Sequence, residues 1–185
     1  MKTFEEKKFD IPKLKGISEK TIEEHLKLYA GYVKNVNDLL ASGVYDRRFP
    51  FEFNGMRNHE VYFSHFEGGP QALSPDSELI KAGFDLEKFK ALALTRGVGW
   101  AMLYYDPVSQ QLIQSWVDEQ HLGQLSQCIP ILALDMWEHS FVADYQPSGK
   151  KQYVEDFFEN LNWNSCETNF ANASRKETPK PNQYR

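Results

Sequence analysis

The sequence lacks several features that would assign it to a common class of protein. No apolar stretch approaches the roughly 20 residues that a membrane-spanning helix requires. The opening residues MKTFEEKKFD contain no apolar signal core, so we expect the protein to remain in the cytoplasm. The net charge of -5 offers no electrostatic basis for general nucleic-acid binding. We therefore expect neither nucleic acid nor membrane among its partners.

Cysteine is also scarce, with Cys128 and Cys166 as the only two in the chain. Their spacing matches neither a zinc site nor a disulfide framework, and we expect buried free thiols in a reducing compartment. Aromatic residues, by contrast, make up 14% of the chain and predict a bulky core. A chain of 185 residues has enough interior to bury several ionisable side chains.

The first third of the chain has the periodicity of two helices. Apolar residues recur at helical spacing from Ser18, the predicted N-cap, to about Leu40. A second helix is predicted from about Asn54 to His65, before the Gly-Gly-Pro at 68–70. We expect the two helices to pair as an antiparallel hairpin that forms a domain over residues 1–70.

The periodicity changes after a polar linker and a short helix predicted from Leu86 to about Thr95. The segments GWAMLYY (99–105), LIQSWV (112–117) and IPILALD (129–135) predict three strands. The third is continuously apolar, which indicates that both of its faces are covered. These strands predict a three-stranded antiparallel sheet.

The segment YVEDFFENLNW (153–163) predicts a closing amphipathic helix. The fold class is therefore α+β, with the helical hairpin followed by an α/β domain over residues 71–173. The remaining residues, 174–185, are polar and proline-containing, and we expect a disordered tail.

Histidine offers the most specific chemistry in the sequence. His25 lies on the first predicted helix, His59 on the second, and His139 just beyond the third strand together with Asp135. Three imidazoles and one carboxylate on separate elements could converge on one cation, and such donors suit iron, manganese or zinc. No two histidines form a compact motif, so a hydrogen-bonded, partly buried side chain remains the alternative for each.

Five segments in chain order resemble the iron and manganese superoxide dismutases. DMWEHSFVADY (135–145) resembles the family's D-x-W-E-H signature with its following D-Y. The other four segments are EEHLKLYAGYVKNVN, FNGMRNHEVYF, GVGWAML and YVEDFFENLNW. The matches run from about residue 18 to residue 165, which is nearly the whole chain outside the tail.

The resemblance implies a superoxide dismutase with one iron or manganese ion per subunit, which alternates between the 2+ and 3+ states. Superoxide would be converted to dioxygen and hydrogen peroxide. The implied metal ligands are His25, His59, Asp135 and His139, with a solvent molecule as the fifth ligand. Zinc cannot perform this redox cycle.

The resemblance also implies a set of supporting residues around the metal. Tyr32 is similar to the family's gateway tyrosine in the substrate channel, and His121 to the residue that hydrogen-bonds the metal-bound solvent. An apolar shell would be formed by Trp100, Trp137, Phe63 and Tyr62. His65 has no family role, and we expect it at the surface.

Assembly is implied as well. Glu138 is expected to cross a dimer interface and hydrogen-bond His139 of the partner subunit, so the protein should form a homodimer or a homotetramer. The family's interface tyrosine is replaced here by Val142. Its histidine partner is also absent, so the interface departs from the family pattern.

One departure from the family lies on the first helix, where seven steps separate His25 from Tyr32 and relatives commonly have eight. Seven residues are close to two full helical turns, so a regular α-helix without a π-bulge would place both side chains on one face. The alternative is that Tyr29 takes the channel position.

Two other function classes compete with the enzyme. One is a metal-free relative with a structural or interaction role, and the other is a hydrolytic metalloprotein. The cues to the metal are mixed, because Gly55 resembles manganese members while Ala133 matches neither the manganese nor the iron pattern. The sequence therefore leaves iron and manganese both open.

Overall fold

The structure is a computed structural model that describes residues 2–175. It contains seven α-helices, two short 3-10 turns and one sheet within that range. The helices are α1 (Glu19–Ser42), α2 (Arg48–Ser64), α3 (Glu78–Lys81), α4 (Leu86–Ala93), α5 (Val142–Tyr145), α6 (Lys150–Asn160) and α7 (Trp163–Ser174). The strands are β1 (Gly99–Asp106), β2 (Gln111–Asp118) and β3 (Ile129–Asp135), and the 3-10 turns are Glu138–Ser140 and Pro147–Gly149.

The N-terminal part is the predicted helical hairpin, in which α1 packs against α2. Helix α1 begins where expected, because the Ser18 side chain accepts a hydrogen bond from the Thr21 N–H. It ends at Gly43, whose φ of 70° is a left-handed conformation that glycine adopts without strain. Helix α2 begins at Arg48, earlier than the predicted Asn54. Pro50 does not prevent this, because it lies in the first turn, where its missing N–H removes no helical bond.

The predicted three-stranded antiparallel sheet is confirmed, with the strand order β2-β1-β3. The central strand β1 is buried along almost its whole length. Strand β3 is an edge strand, and both α2 and α7 pack against it. Its residues from Ile131 to Asp135 are buried, as its continuous apolar character predicted.

The C-terminal part differs from the prediction of one closing helix over 153–163. Two helices occupy this region, because the chain becomes extended at Leu161 and restarts at Asn162, whose side chain caps α7 by accepting the Asn164 N–H. Helix α7 buries Trp163, Cys166 and Ala173. It continues to Ser174, into the predicted tail, and residues 176–185 of that tail lie outside the described residues.

Three smaller outcomes concern the linker, the cysteines and the domains. The predicted polar linker contains α3, which buries Leu79 completely. Cys166 is a buried free thiol as expected, whereas Cys128 is only half-buried. Within residues 2–175, no helix is long and apolar enough to cross a membrane. The division of the chain at residue 70 stays a prediction.

Candidate metal centre

The structure brings together the four residues that the sequence nominated as metal ligands. One donor atom from each of His25, His59, Asp135 and His139 lies within 4.8 Å of the others. Asp135 Oδ2 is 3.1 Å from Nε2 of His25 and of His139, and 3.6 Å from Nε2 of His59. Three of the side chains are fully buried, and that of His139 is 24% exposed. The cluster is therefore a compact site with one partly open side.

Four separate elements carry these side chains. His25 lies on α1, His59 on α2, Asp135 at the end of β3, and His139 in the 3-10 turn that follows. The turn orients the Asp135 carboxylate, because the Trp137 N–H donates a hydrogen bond of 2.8 Å to Asp135 Oδ1. Helices and a strand end hold ligands more rigidly than loops do.

The hydrogen bonds of His59 show that this donor set fits a metal ion. His59 Nδ1 donates to the Gly55 carbonyl oxygen at 2.6 Å, so Nε2 of the neutral ring is unprotonated. Nε2 is buried and has no hydrogen-bond partner. A buried polar atom without a partner lowers the stability of the fold unless a ligand binds to it. In metal sites, the coordinating histidine typically donates its other ring N–H to an acceptor such as a backbone carbonyl, as His59 does here. Three imidazoles and a carboxylate without a thiolate suit iron, manganese or zinc.

The electrostatics of the site favour the metal-coordinating protonation states of His25, His59 and Asp135, whereas the effect of burial on His139 is outweighed by the Asp135 carboxylate, which raises the pKa of that imidazole. Burial lowers the pKa of His25 more than its hydrogen bond to Asp135 raises it, and burial lowers the pKa of His59 to about 3. Burial alone raises the pKa of Asp135, but the neighbouring His139 and His25 outweigh that effect and lower it. Two neutral imidazoles and an ionised carboxylate therefore face each other at neutral pH.

Aromatic rings surround the four polar side chains. The Trp100 ring lies 5.1 Å from the His59 ring, and the Phe63 ring 4.9 Å from the His25 ring. Tyr62 also contacts His25, with ring centroids 5.1 Å apart, and the Trp137 ring stacks on His139 at 5.8 Å. These rings are the four that the sequence nominated. They exclude water and so lower the local dielectric constant around the site.

Tyr32 lies beside this cluster, with its ring centroid 5.0 Å from that of His59. Helix α1 is a regular α-helix through residues 25–32, as the seven-residue spacing predicted. Burial raises the pKa of Tyr32, so its hydroxyl remains protonated. The alternative residue, Tyr29, packs elsewhere and accepts a hydrogen bond from the Lys7 N–H at 2.9 Å.

The Tyr32 hydroxyl is hydrogen-bonded by Gln120, the direct neighbour of His121, which the resemblance implied as the partner of the metal-bound solvent. Gln120 Nε2 donates to the Tyr32 hydroxyl oxygen at 3.0 Å, and Gln120 Oε1 accepts from Trp100 Nε1 at 2.8 Å. The indole N–H can only donate, which determines the amide orientation. The His121 ring instead packs on Phe51, with ring centroids 5.7 Å apart. The role implied for His121, a hydrogen bond to the metal-bound solvent, stays a prediction.

Which of the neighbours Gln120 and His121 points toward Tyr32 depends on a backbone turn that the sequence does not reveal. Glu119 has a φ of 51°, and its carbonyl oxygen accepts a hydrogen bond of 3.2 Å from Trp137 Nε1. Asn58 fixes the same segment, since its Nδ2 donates to the Gln120 carbonyl oxygen at 3.2 Å. The sequence could have indicated Asn58, because it directly precedes His59 in the segment FNGMRNHEVYF, which resembles the family.

Three further residues complete the description. Tyr153, which the sequence reasoning did not select, donates its hydroxyl hydrogen to the Asp135 carbonyl oxygen at 2.9 Å. Glu138 is exposed and begins the turn that carries His139. The expectation that His65 lies at the surface is wrong, because it is fully buried and its Nε2 accepts a hydrogen bond from the Ala133 N–H at 3.2 Å.

A helical hairpin, a strand end and the turn after it bring three imidazoles and one carboxylate together among aromatic rings, and such a cluster defines a mononuclear metalloprotein. Comparison with known proteins is more specific. Residues 82–169 match the model of the C-terminal domain of iron/manganese superoxide dismutases. The chain is 33% identical to the superoxide dismutase [Fe] of Cupriavidus metallidurans, over 88% of this chain and 93% of the relative.

Two relatives described as manganese proteins have a similar percentage identity over smaller parts of this chain. The superoxide dismutase [Mn] of Mycolicibacterium paratuberculosis is 31% identical over 82% of this chain and 83% of the relative. The superoxide dismutase [Mn] 2 of Halobacterium salinarum is 36% identical over 60% of this chain and 58% of the relative. The chain belongs to the iron/manganese superoxide dismutase family.

Proposed function

We propose that the protein is a superoxide dismutase in which His25, His59, Asp135 and His139 hold one iron or manganese ion. It converts two superoxide anions and two protons to dioxygen and hydrogen peroxide. The observation that carries this ligand set is the convergence of four donor atoms within 4.8 Å, including a buried Nε2 of His59 that has no other partner. The names of the relatives support both iron and manganese.

An iron or manganese ion held by the four proposed ligands would supply the one-electron chemistry, since either metal can alternate between the 2+ and 3+ states. The protein residues control protons and water. Tyr32 uses its hydroxyl oxygen to accept the hydrogen bond from Gln120, which leaves the hydroxyl hydrogen to be donated within the cavity. We assign the proton-donating role to Tyr32 and its orientation to Gln120.

The order of these contacts defines a short hydrogen-bonded chain. The buried Trp100 indole donates to the Gln120 side-chain amide, and that amide donates to the Tyr32 hydroxyl oxygen. The rigid indole therefore fixes the position of the amide, and the amide orients Tyr32. Asn58 holds the backbone of the same residue, because its Nδ2 donates to the Gln120 carbonyl oxygen. Such support keeps a catalytic group within a narrow range of positions.

The proposed functional unit is a homodimer, with a homotetramer as the alternative. The support comes from the exposed Glu138, the half-buried Trp137 and the partly exposed His139, which together form the open side of the site. Glu138 is proposed to hydrogen-bond His139 of the partner subunit, which would orient that ligand. Sedimentation of the metal-loaded protein tests the assembly, and an active monomer would contradict it. An antioxidant role is proposed because the relatives are named superoxide dismutases, and a cytoplasmic location stays a prediction.

A metal-free relative with a structural role is less well supported. Packing alone offers no compensation for a buried, unpartnered imidazole nitrogen such as His59 Nε2. A metal ion would satisfy that atom and the Asp135 charge together. The metal-binding enzyme is therefore the favoured reading.

The decisive experiment measures bound metal and superoxide consumption in the same purified sample. We expect close to one iron or manganese ion per chain in the unchanged protein. Asp135→Ala should lose both the metal and the activity, because Asp135 Oδ2 lies within 3.6 Å of all three imidazoles. Asp76→Ala, at an exposed turn, is the matched control and should change neither. Full metal occupancy and turnover in Asp135→Ala would exclude the proposed site.

A further inference from the structure

The free edge of β3 carries an unusual set of side-chain contacts. β1 pairs with one side of β3, so every second residue of β3 directs its backbone groups away from the sheet. Such groups need partners when they are buried. The Ile131 carbonyl oxygen accepts from Asn169 Nδ2 at 3.1 Å, the Ala133 N–H donates to His65 Nε2 at 3.2 Å, and the Asp135 carbonyl oxygen accepts from the Tyr153 hydroxyl at 2.9 Å.

His65 is the member of this set that also connects to the metal-binding helix. It directly follows α2, which carries His59, and its side chain is fully buried. Because Nε2 accepts the Ala133 N–H, the ring hydrogen lies on Nδ1, which is 2.9 Å from Ser165 Oγ on α7. The His65 carbonyl oxygen accepts the Asn162 N–H at 2.7 Å. One residue thus ties together α2, β3 and the start of α7.

The distances along these elements make the contact relevant to the metal centre. His65 lies six residues beyond His59 on the α2 side, which is about 9 Å at the rise of an α-helix. Ala133 lies two residues before Asp135, which is about 7 Å in a strand. The hydrogen bond between His65 and Ala133 therefore links the end of α2 to β3 at a short distance from His59 and Asp135, two of the proposed ligands.

We propose that His65 is a positioning residue for the metal centre, in that its hydrogen bond to the Ala133 N–H sets the position of Asp135 relative to His59. The inference rests on the proposed function, because it assumes that these two residues bind the ion. The acceptor role requires a neutral ring. Burial lowers the pKa of His65 to about 3, so the ring remains neutral near pH 7. Cys166 lies beside the ring, with Sγ 3.7 Å from Nδ1. Burial raises the pKa of this thiol to about 12, so the thiol stays neutral and places no negative charge beside the His65 ring.

The test uses variants that differ in whether they can accept the Ala133 N–H. His65→Gln places an amide oxygen at a reach similar to that of Nε2, whereas His65→Asn carries its oxygen one bond closer to the backbone. His65→Leu has no acceptor. Cys166→Ala is the matched control, because it removes a fully buried neighbour of His65 without removing the contact to β3. Each protein is loaded with manganese or iron and compared with the unchanged protein.

Three measurements are made on each sample: the electron paramagnetic resonance spectrum of the bound metal, its rate of release to a chelator, and the melting temperature. We expect His65→Leu and His65→Asn to change the spectrum and to release metal at least about tenfold faster, since supporting residues typically affect metal affinity by 10- to 100-fold. His65→Gln should restore both properties. Cys166→Ala should lower the melting temperature while the spectrum and release rate stay unchanged.

Two outcomes would overturn the proposal. One is an unchanged spectrum and release rate in His65→Leu or, if that variant does not fold, in His65→Asn. The other is a Cys166→Ala protein whose spectrum changes as much as those of the His65 variants. The effect of the His65 substitutions would then come from lost packing and not from the lost hydrogen bond to Ala133. Failure of the proposed function would be distinct, because the unchanged protein would then bind no iron or manganese, or would bind it without consuming superoxide.

Discussion

Gly55 leaves the space that the ring of Tyr32 occupies. A Cβ atom at Gly55 would lie 2.6 Å from two carbon atoms of that ring, closer than real Cβ contacts allow. Gly55 lies on α2 and Tyr32 on α1. The absence of a side chain at Gly55 therefore permits the gateway position proposed for Tyr32. The Gly55 carbonyl oxygen also accepts the His59 Nδ1 hydrogen bond.

Gly55→Ala is expected to displace Tyr32 and break its hydrogen bond with Gln120. Activity should fall while the metal is retained, because none of the four proposed ligands is changed. Metal content and superoxide consumption measured together test this expectation. Gly31→Ala is the matched control on α1, since a Cβ there meets no atom within 4 Å. It should keep full activity and stabilise the helix by about 0.5–1 kcal/mol. Equal activity in both variants would contradict the steric argument.

Tyr32→Phe is expected to retain the metal and to slow the proton-dependent half of the reaction. The loss should be about a hundredfold at high superoxide concentration, at the lower end of what a positioned proton donor contributes. Stopped-flow measurement of superoxide decay over a range of concentrations would detect it. Tyr29→Phe should lose the hydrogen bonds of that hydroxyl with the Lys7 N–H and Glu60 Oε1, at a cost in stability of about 1–2 kcal/mol, and should keep its activity. A slower reaction in Tyr29→Phe than in Tyr32→Phe would reverse the assignment of the two tyrosines.

Gln120→Leu and His121→Gln compare the residue that hydrogen-bonds Tyr32 with the residue that the resemblance implied as the partner of the metal-bound solvent. Gln120→Leu leaves the Trp100 indole N–H buried without its acceptor, and we expect a loss of about 1–3 kcal/mol in unfolding free energy. Its activity should fall as well, because Tyr32 loses the contact that orients it. His121→Gln should retain both stability and activity. The assignment fails if His121→Gln is the variant that loses activity.

The stability of the metal-free protein is expected to fall in acid partly through His65. Its pKa is about 3 in the folded state and about 6.5 when unfolded, so between these values only the unfolded chain binds the proton. The stability conferred by the neutral ring is therefore complete above about pH 6.5 and declines as the pH falls, by up to about 1.4 kcal/mol per pH unit.

Chemical unfolding of the metal-free protein between pH 4 and pH 8 measures this slope. His65→Gln lacks the titrating ring, so its stability should decline less steeply below about pH 6.5, while the two proteins run parallel above it. Both proteins contain His25, His59 and His139, so the difference between them isolates His65. Identical slopes would show that the ring is protonated in the folded state.

The sequence by itself determined the fold class and the four candidate ligands. Helical periodicity from Ser18 and the three apolar strand segments are local patterns, and the structure has α1 and the sheet where those patterns predicted them. Asp135 and His139 are close in sequence, and their turn follows directly from the end of β3. His25 and His59 required the family resemblance, because nothing local shows that two helices bring them together.

Only the tertiary structure decided which of two neighbouring side chains faces the site and which residues are buried. Gln120 contacts Tyr32 because the backbone turns at Glu119 with a positive φ, and periodicity does not encode such a turn. The burial of His65 depends on α7, a helix that begins only after the chain is interrupted at Leu161. Side-chain direction in turns and burial between distant elements are set by long-range contacts, whereas helix and strand periods are set by neighbouring residues.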